Sequence, residues 1–228
     1  AMDPQQRLMM MHVWKALEDA GYAGPALSGS DTAIYVGTGA TGYGTLLNRA
    51  GLGGEAYSST GGVPSVGPSR MSYFLNWHGP SEPVETACSS SLVALRRGVA
   101  AILSGESSLA IVGGVNTIVT PEHHISFNKA GMLSEDGRCK TFSSEANGYV
   151  RGEGAAMLVL KKLSEAERDG DHIHGLVLGT AENHGGRANS LTAPNPTAQA
   201  AVIRKAHQQA GIDPRSVTYI ETHGTGTV

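Results

Sequence analysis

An α/β layered fold with a largely buried sheet is what this sequence predicts. Short, wholly apolar runs such as residues 33–36 and 109–112 lack the polar alternation of a half-solvated strand. Stretches with apolar residues at helical spacing alternate with them, and glycines gather at the ends of the apolar runs, where turns between buried elements belong. The first helix opens at Asp3, a capping residue with Pro4 at the first helical position and Gln6 three residues on. Its stripe Met10, Val13, Trp14 and Leu17 continues to Gly21. Residues 33–36 read as a buried strand, and residues 37–68, rich in Gly and Ser with little periodicity, as a long surface excursion. A strand-like run, Val84-Glu85-Thr86, then meets the helical pattern Leu92, Leu95, Val99, Ile102 and Leu103. A strand at 109–112 runs into Gly113-Gly114, and Thr120 with Pro121 opens another helix. Residues 149–160 read as one long strand or a pair, 164–169 as a charged helix, 173–178 as a strand and 193–196 as a Pro-rich loop. Thr197 is expected to cap the last helix, which ends at Gly211. A strand at 217–220 then delivers the chain to Glu221-Thr222-His223-Gly224-Thr225-Gly226-Thr227.

Composition excludes several classes. A chain of 228 residues, 40% hydrophobic and 16% charged, can bury a sizeable core as one large domain or two small ones, and is not disordered. A net charge of −3 with no Lys/Arg run leaves no nucleic-acid footprint. No apolar segment reaches the length of a membrane span and the start is not a signal peptide, so no membrane partner is expected. Cys88 and Cys139 are the two cysteines; they argue against a disulfide framework and for a reducing cytoplasm.

Cys88 is the most informative residue. It sits where the strand-like run turns into a helix, so that unpaired N–H groups and the positive end of the helix dipole favour a thiolate. Ser89, Ser90 and Ser91 are small and polar, keeping the first turn open to a substrate. The competing reading of Cys88 is a buried, inert thiol packed as a small hydrophobe. His223 follows an apolar run, and its flanking glycines let backbone approach a ligand while Thr225 and Thr227 offer hydroxyls. A Cys and a His from the ends of different strands suit acyl transfer, although a lone loop His is often only solvated.

Other constellations carry less. Gly37-Thr38-Gly39-Ala40-Thr41-Gly42 matches G-x-G-x-x-G with Glu55 downstream, but a dinucleotide site needs a solid helix after the loop and a second strand ending at the acid. His123-His124, His172 and His174 have no carboxylate or Cys at metal-ligand spacing, so no metal site is expected. Glu135-Asp136-Gly137-Arg138 reads as a turn, Arg151 and Glu153 as an internal ion pair, and Cys139 as a structural thiol.

Four motifs, in order, carry a family resemblance: Asp3-Pro4-Gln5-Gln6-Arg7, Thr86-Ala87-Cys88-Ser89-Ser90-Ser91-Leu92, Gly148-Tyr149-Val150-Arg151-Gly152-Glu153-Gly154 and His223-Gly224-Thr225-Gly226-Thr227. With Gly67-Pro68-Ser69-Arg70-Met71-Ser72-Tyr73-Phe74 between the first two, the whole chain resembles the β-ketoacyl synthase (ketosynthase) domain of a modular polyketide synthase. Ser134-Glu135-Asp136-Gly137-Arg138-Cys139-Lys140 and the stretch 183–195 further resemble bacterial systems whose acyltransferase is a separate protein.

The resemblance implies a thiolase-like fold of α-β-α-β-α layers that pairs as a homodimer. Cys88 would be the acylated nucleophile, with its N–H in the oxyanion hole. His223 would assist decarboxylation of a malonyl extender, while Thr225 and Thr227 would hydrogen-bond the phosphopantetheine arm of an acyl carrier protein, with no cofactor bound directly. A second His and a Lys of the family fall beyond Val228, and the family's first strand falls before Ala1. Residues 1–228 are therefore expected to be one partial ketosynthase domain, an internal fragment truncated at both ends. The alternatives are a non-elongating ketosynthase, of which loss of His223 would be a sign, and an inactive folding or dimerisation unit.

Overall fold

The computed structural model describes residues 2–227. Its first helix, α1 (Pro4–Asp19), begins as the sequence requires: the Asp3 carboxylate accepts the Gln5 N–H at 2.8 Å, with Pro4 at the position that needs no donor. Gln6 does not complete the expected capping box. Its amide donates to Val63 O at 3.2 Å, joining the helix to a segment far along the chain. Met9, Val13 and Leu17 form the buried stripe, so the inward face is centred one residue earlier than the pattern Met10, Trp14 implied.

Four strands, β1 (Ala33–Gly37), β2 (Ser81–Val84), β3 (Leu109–Asn116) and β4 (Gly154–Lys161), form a sheet in the order β2-β1-β3-β4. The first three run parallel and β4 lies antiparallel against β3, pairing Leu109 with Lys161 and Asn116 with Gly154. All five β1 residues are buried, as an apolar run between two parallel neighbours should be.

The surface excursion expected over 37–68 is instead interrupted by helices: α2 (Tyr43–Arg49), α3 (Ser58–Gly62) and the start of α4 (Val66–Leu75) fall within or across it. Their Gly- and Ser-rich sequences have weak intrinsic helix preference, and tertiary burial of Leu47, Met71 and Leu75 overrides it. The strand before Cys88 is β2, three residues earlier than Val84-Glu85-Thr86. Pro83 disguises it, and is tolerated because β2 is an edge strand whose outer side needs no donor.

The helix after Cys88 is α5 (Ser90–Ser104); α6 (Glu122–Lys129), α7 (Leu163–Asp169) and α8 (Pro196–Ala210) follow. One core lies between the sheet and α1 with α4, built on Met9, Val13, Ile34, Val36, Met71 and Ile111. The other lies between the sheet and α5, built on Ala33, Tyr35, Ala94, Ala101 and Val112. The described residues thus form three layers, α-β-α.

Three strand expectations and one cap are corrected. The 149–160 segment yields only β4, because Tyr149 pairs locally with Leu133. Segments 173–178 and 217–220 have no ladder partner among the described residues, and leave Leu176, Leu178, Tyr219 and Ile220 exposed. A strand exists only where a neighbour accepts its hydrogen bonds, so an apolar run alone does not make one. Asn195, not Thr197, caps α8; its side chain accepts from Thr197 N and Ala198 N with Pro196 at the first helical position. Among the described residues no helix is long and apolar enough to cross a membrane.

Candidate active site

Cys88 lies at the carboxyl edge of the sheet, two residues ahead of α5. The chain leaves β2 and rises over the end of β1, and α5 returns it to β3 on the far side of β1. In open α/β sheets that reversal is where ligands gather. Glycines let the helix settle there. A Cβ at Gly37 would lie 2.7 Å from Ser91 N, one at Gly114 2.8 Å from Ser91 Cβ, and one at Gly98, mid-helix, 2.3 Å from Val112 Cγ1. Cys88 is exposed, which excludes the buried, inert reading.

The turn presenting the thiol is strained. Ala87 has φ +54°, a left-handed conformation that costs a non-glycine residue about 1–2 kcal/mol. The neighbouring serines hold it: Ser90 Oγ accepts the Thr86 N–H at 2.9 Å and donates to Ala87 O at 2.7 Å. Ser89 donates to Thr86 O at 2.9 Å, and its hydroxyl also meets that of Thr86. Ser90 is buried, so the role of open, substrate-facing first turn does not extend to it; it is part of the latch that aims Cys88.

His223 is exposed and follows the extended, exposed segment 217–220 rather than a buried strand. The loop after it is clamped. Gly148 N–H donates to Gly226 O at 2.9 Å, the Thr141 hydroxyl donates to Gly224 O, and a Cβ at Gly226 would lie 2.9 Å from Lys140 N. Thr225 and Thr227, on the same side of this loop, have their hydroxyls 2.9 Å apart.

Residues 140–148 run directly into Tyr149, whose phenol is pushed above its usual value by burial; Arg151 opposes that rise and the charge of Cys88 adds to it. Its neighbour Gly148 bonds the His223 loop. The Tyr149 ring meets Phe127 edge-on at 6.4 Å, and the Arg151 guanidinium sits 5.4 Å from the Phe127 centroid.

Other expectations are corrected or stand aside. Arg151 and Glu153 do not pair: Glu153 accepts the Ile118 N–H at 2.6 Å. Cys139 is exposed, its Sγ accepting the Val150 N–H at 3.1 Å. Residues 134–137 do turn, with Gly137 at φ +71°. The Gly37–Gly42 loop lines a cavity of about 400 Å³ with α1 and α3, away from Cys88, and Glu55 lies in a loop rather than at a strand end. Among the described residues no three His, Cys, Asp or Glu side chains cluster to hold a metal.

Comparison with known proteins decides the family. Residues 1–166 match the family described as "Beta-ketoacyl synthase, N-terminal domain", and residues 174–228 match "Beta-ketoacyl synthase, C-terminal domain". The chain belongs to the β-ketoacyl synthase family. Among its relatives, polyketide synthase PksN of Bacillus subtilis (strain 168) is 60% identical over 226 residues, covering 99% of this chain and 4% of that protein. The 6-methylsalicylic acid synthase of Aspergillus terreus is 48% identical, over 99% of this chain and 12% of that protein. Solved ketosynthases superpose closely. The ketosynthase from module 6 of the bacillaene synthase from Bacillus subtilis 168 gives a TM-score of 0.92 at 43% identity, covering 99% of this chain and 39% of that one. The Streptomyces albus JA3453 oxazolomycin ketosynthase domain OzmH KS7 gives 0.92 at 40%, covering 99% and 39%. The ketosynthase chain spans about two fifths of the solved structures it matches, and its α/β, thiolase-like fold is the one the motifs implied.

Proposed function

We propose that these residues form part of a polyketide-synthase ketosynthase that lengthens an acyl chain by decarboxylative Claisen condensation. The observation that carries this reading is the presentation of Cys88, an exposed thiol held by a strained turn two residues ahead of α5 at the carboxyl edge of the sheet.

On this reading the Cys88 thiolate attacks the carbonyl of an acyl thioester delivered by a carrier protein. A carbon–sulfur bond forms at Cys88, and the carrier's thiol leaves with the proton Cys88 gave up. The Cys88 N–H contributes to the oxyanion hole that stabilises the tetrahedral intermediate. A malonyl thioester on the carrier then loses CO2, and the electron pair of the broken carbon–carbon bond becomes an enolate. The enolate attacks the Cys88 thioester and expels its thiolate, giving a β-ketoacyl carrier. His223 donates a hydrogen bond to the malonyl thioester oxygen as enolate charge develops there. Thr225 and Thr227, hydroxyl-bearing and adjacent, meet the polar groups of the phosphopantetheine arm, which arrives as part of the substrate.

The partners implied are the acyl carrier protein, a second copy of the chain in a homodimer and, from the stretches 134–140 and 183–195, a separate acyltransferase; the setting is the cytoplasm. The exposed apolar segments 173–178 and 217–220, together with the partial coverage of the relatives, support placing this chain within a longer ketosynthase.

The test separates the two half-reactions in that intact ketosynthase. His223→Ala should leave acyl transfer to Cys88 largely unchanged and lower condensation about 10²–10⁴-fold. Equal loss of both would overturn the assigned order.

A further inference from the structure

Residues 140–148, which clamp the His223 loop, are closed by a cluster of four side chains outside the catalytic groups. Lys140 Nζ donates to Asp136 Oδ1 at 2.6 Å and to Ser134 Oγ at 3.3 Å. Ser134 Oγ lies 2.5 Å from Asp136 Oδ1 and 3.0 Å from Asn147 Oδ1. Lys140 and Asn147 stand at opposite ends of the segment, so Ser134 and Asp136 draw its two ends together. The Lys140 side chain is only 16% exposed, and an ammonium so far out of water is stable only when paired. Lys140, with Ser134, holds the Asp136 carboxyl down to about 2, so that carboxylate remains charged throughout the physiological range.

The load on this closed segment is specific. Gly148 N–H holds Gly226 O, the Thr141 hydroxyl holds Gly224 O, and Lys140 N lies against Gly226. Both carbonyls flanking Thr225 are therefore fixed from one side. Gly224 (φ +49°) and Gly226 (φ +72°) give the loop little stiffness of its own, so its shape comes from what it leans on.

We propose that Lys140, paired with Asp136 and Ser134, is a positioning residue for His223, acting through residues 140–148 and the Gly224 carbonyl they hold. This rests on the reading of His223 given above. It places the requirement for Lys140 in the second half-reaction, which uses His223, and not in acylation of Cys88, which the turn ahead of α5 presents independently.

The experiment uses the intact ketosynthase and measures acyl transfer to Cys88 by intact mass and condensation with malonyl carrier protein. Lys140→Met and, as an independent probe of the same pair, Asp136→Asn should keep acylation within about threefold and lower condensation about tenfold or more. Lys140→Arg, which preserves the ion pair, should recover condensation to within about threefold of wild type. On a His223→Ala background, Lys140→Met should add less than about twofold, because it acts through His223. Condensation near wild type in both Lys140→Met and Asp136→Asn, equal loss of both half-reactions, or full additivity with His223→Ala would each overturn the proposal. If His223→Ala itself leaves condensation intact, the reading of the loop fails and the positioning role with it. If His223→Ala is impaired while the Lys140 and Asp136 variants are not, only the positioning role falls.

Discussion

Replacing Gly37 by alanine tests how the sheet sets the cysteine. Gly37 ends β1 under the first turn of α5, and a Cβ there would sit 2.7 Å from Ser91 N and 2.9 Å from the Ser90 carbonyl carbon, where ordinary contact begins at about 3.4 Å. Both are backbone atoms, so no rotamer change relieves the overlap and either the helix start or the strand end must move. Overpacking of this kind costs about 1–3 kcal/mol. The restricted unfolded chain of alanine returns about 0.4–1 kcal/mol. A net loss of about 1–2 kcal/mol remains, which lowers Tm by roughly 1–4 °C in the longer intact ketosynthase, where the same loss is spread over a larger unfolding entropy. The displacement passes directly to Cys88, two residues before α5, so its acylation should slow as well. Thermal melts and the rate of Cys88 acylation by an acyl thioester measure the two effects in the intact ketosynthase. Gly39→Ala is the control, since a Cβ there meets nothing within 4 Å. A Gly37→Ala protein that melts and acylates like wild type would refute the argument that this contact sets the thiol.

Three further outcomes are expected. Both thiols are exposed, yet Sγ of Cys139 already accepts the Val150 N–H, so mass spectrometry after treatment with an acyl thioester should find Cys88 acylated ahead of Cys139; the reverse order would sink the assignment of the nucleophile. Hydrogen bonds from Lys140 and Ser134 hold the Asp136 carboxyl down to about 2. The stability this lowering adds is fully present above the usual carboxylate value of about 3.9 and is lost as pH falls through the folded value. The protection of the Gly148 N–H, its exchange relative to the intrinsic rate at the same pH, should therefore be full at pH 5 and fall toward pH 2, with this acid loss abolished in Asp136→Asn; an identical loss in that variant would count against the pairing. The 228-residue chain by itself should self-associate, because Leu176, Val177, Leu178, Tyr219 and Ile220 are exposed, and a few hundred Å² of apolar surface at about 25 cal/mol per Å² drives several kcal/mol of association. A monodisperse monomer in sedimentation velocity would contradict this.

The parts of the fold that were legible in the sequence are those set by neighbours along the chain. Asp3 and Pro4 start α1 through a hydrogen bond spanning two residues, and β1 and β3 declare themselves because strands between parallel neighbours are apolar on both faces. Cys88 and His223 stand out as candidates for a similar reason: a Cys at a strand-to-helix turn and a His followed by Gly224 and Gly226 leave compact local patterns. Pro83 and the Gly/Ser-rich stretch around α3 misled, because propensity is weak against the burial that tertiary contacts supply.

Partners distant in sequence were decided only by the tertiary structure. Gln6 bonds Val63 rather than its own helix start, and Ser90 turns inward to hold the strained Ala87 rather than opening toward substrate. Residues 173–178 and 217–220 are apolar enough to be strands, and remain unpaired among the described residues because a ladder needs a second strand. The clearest case is the tie between Thr141 and Gly224, 83 residues apart, which with Gly148 and Gly226 shapes the His223 loop. The sequence names the candidate residues, since their types and immediate neighbours mark them out. Their support comes from hydrogen bonds between segments that meet only after the chain has paid the entropy of bringing them together, and local patterning holds no record of which segments those are.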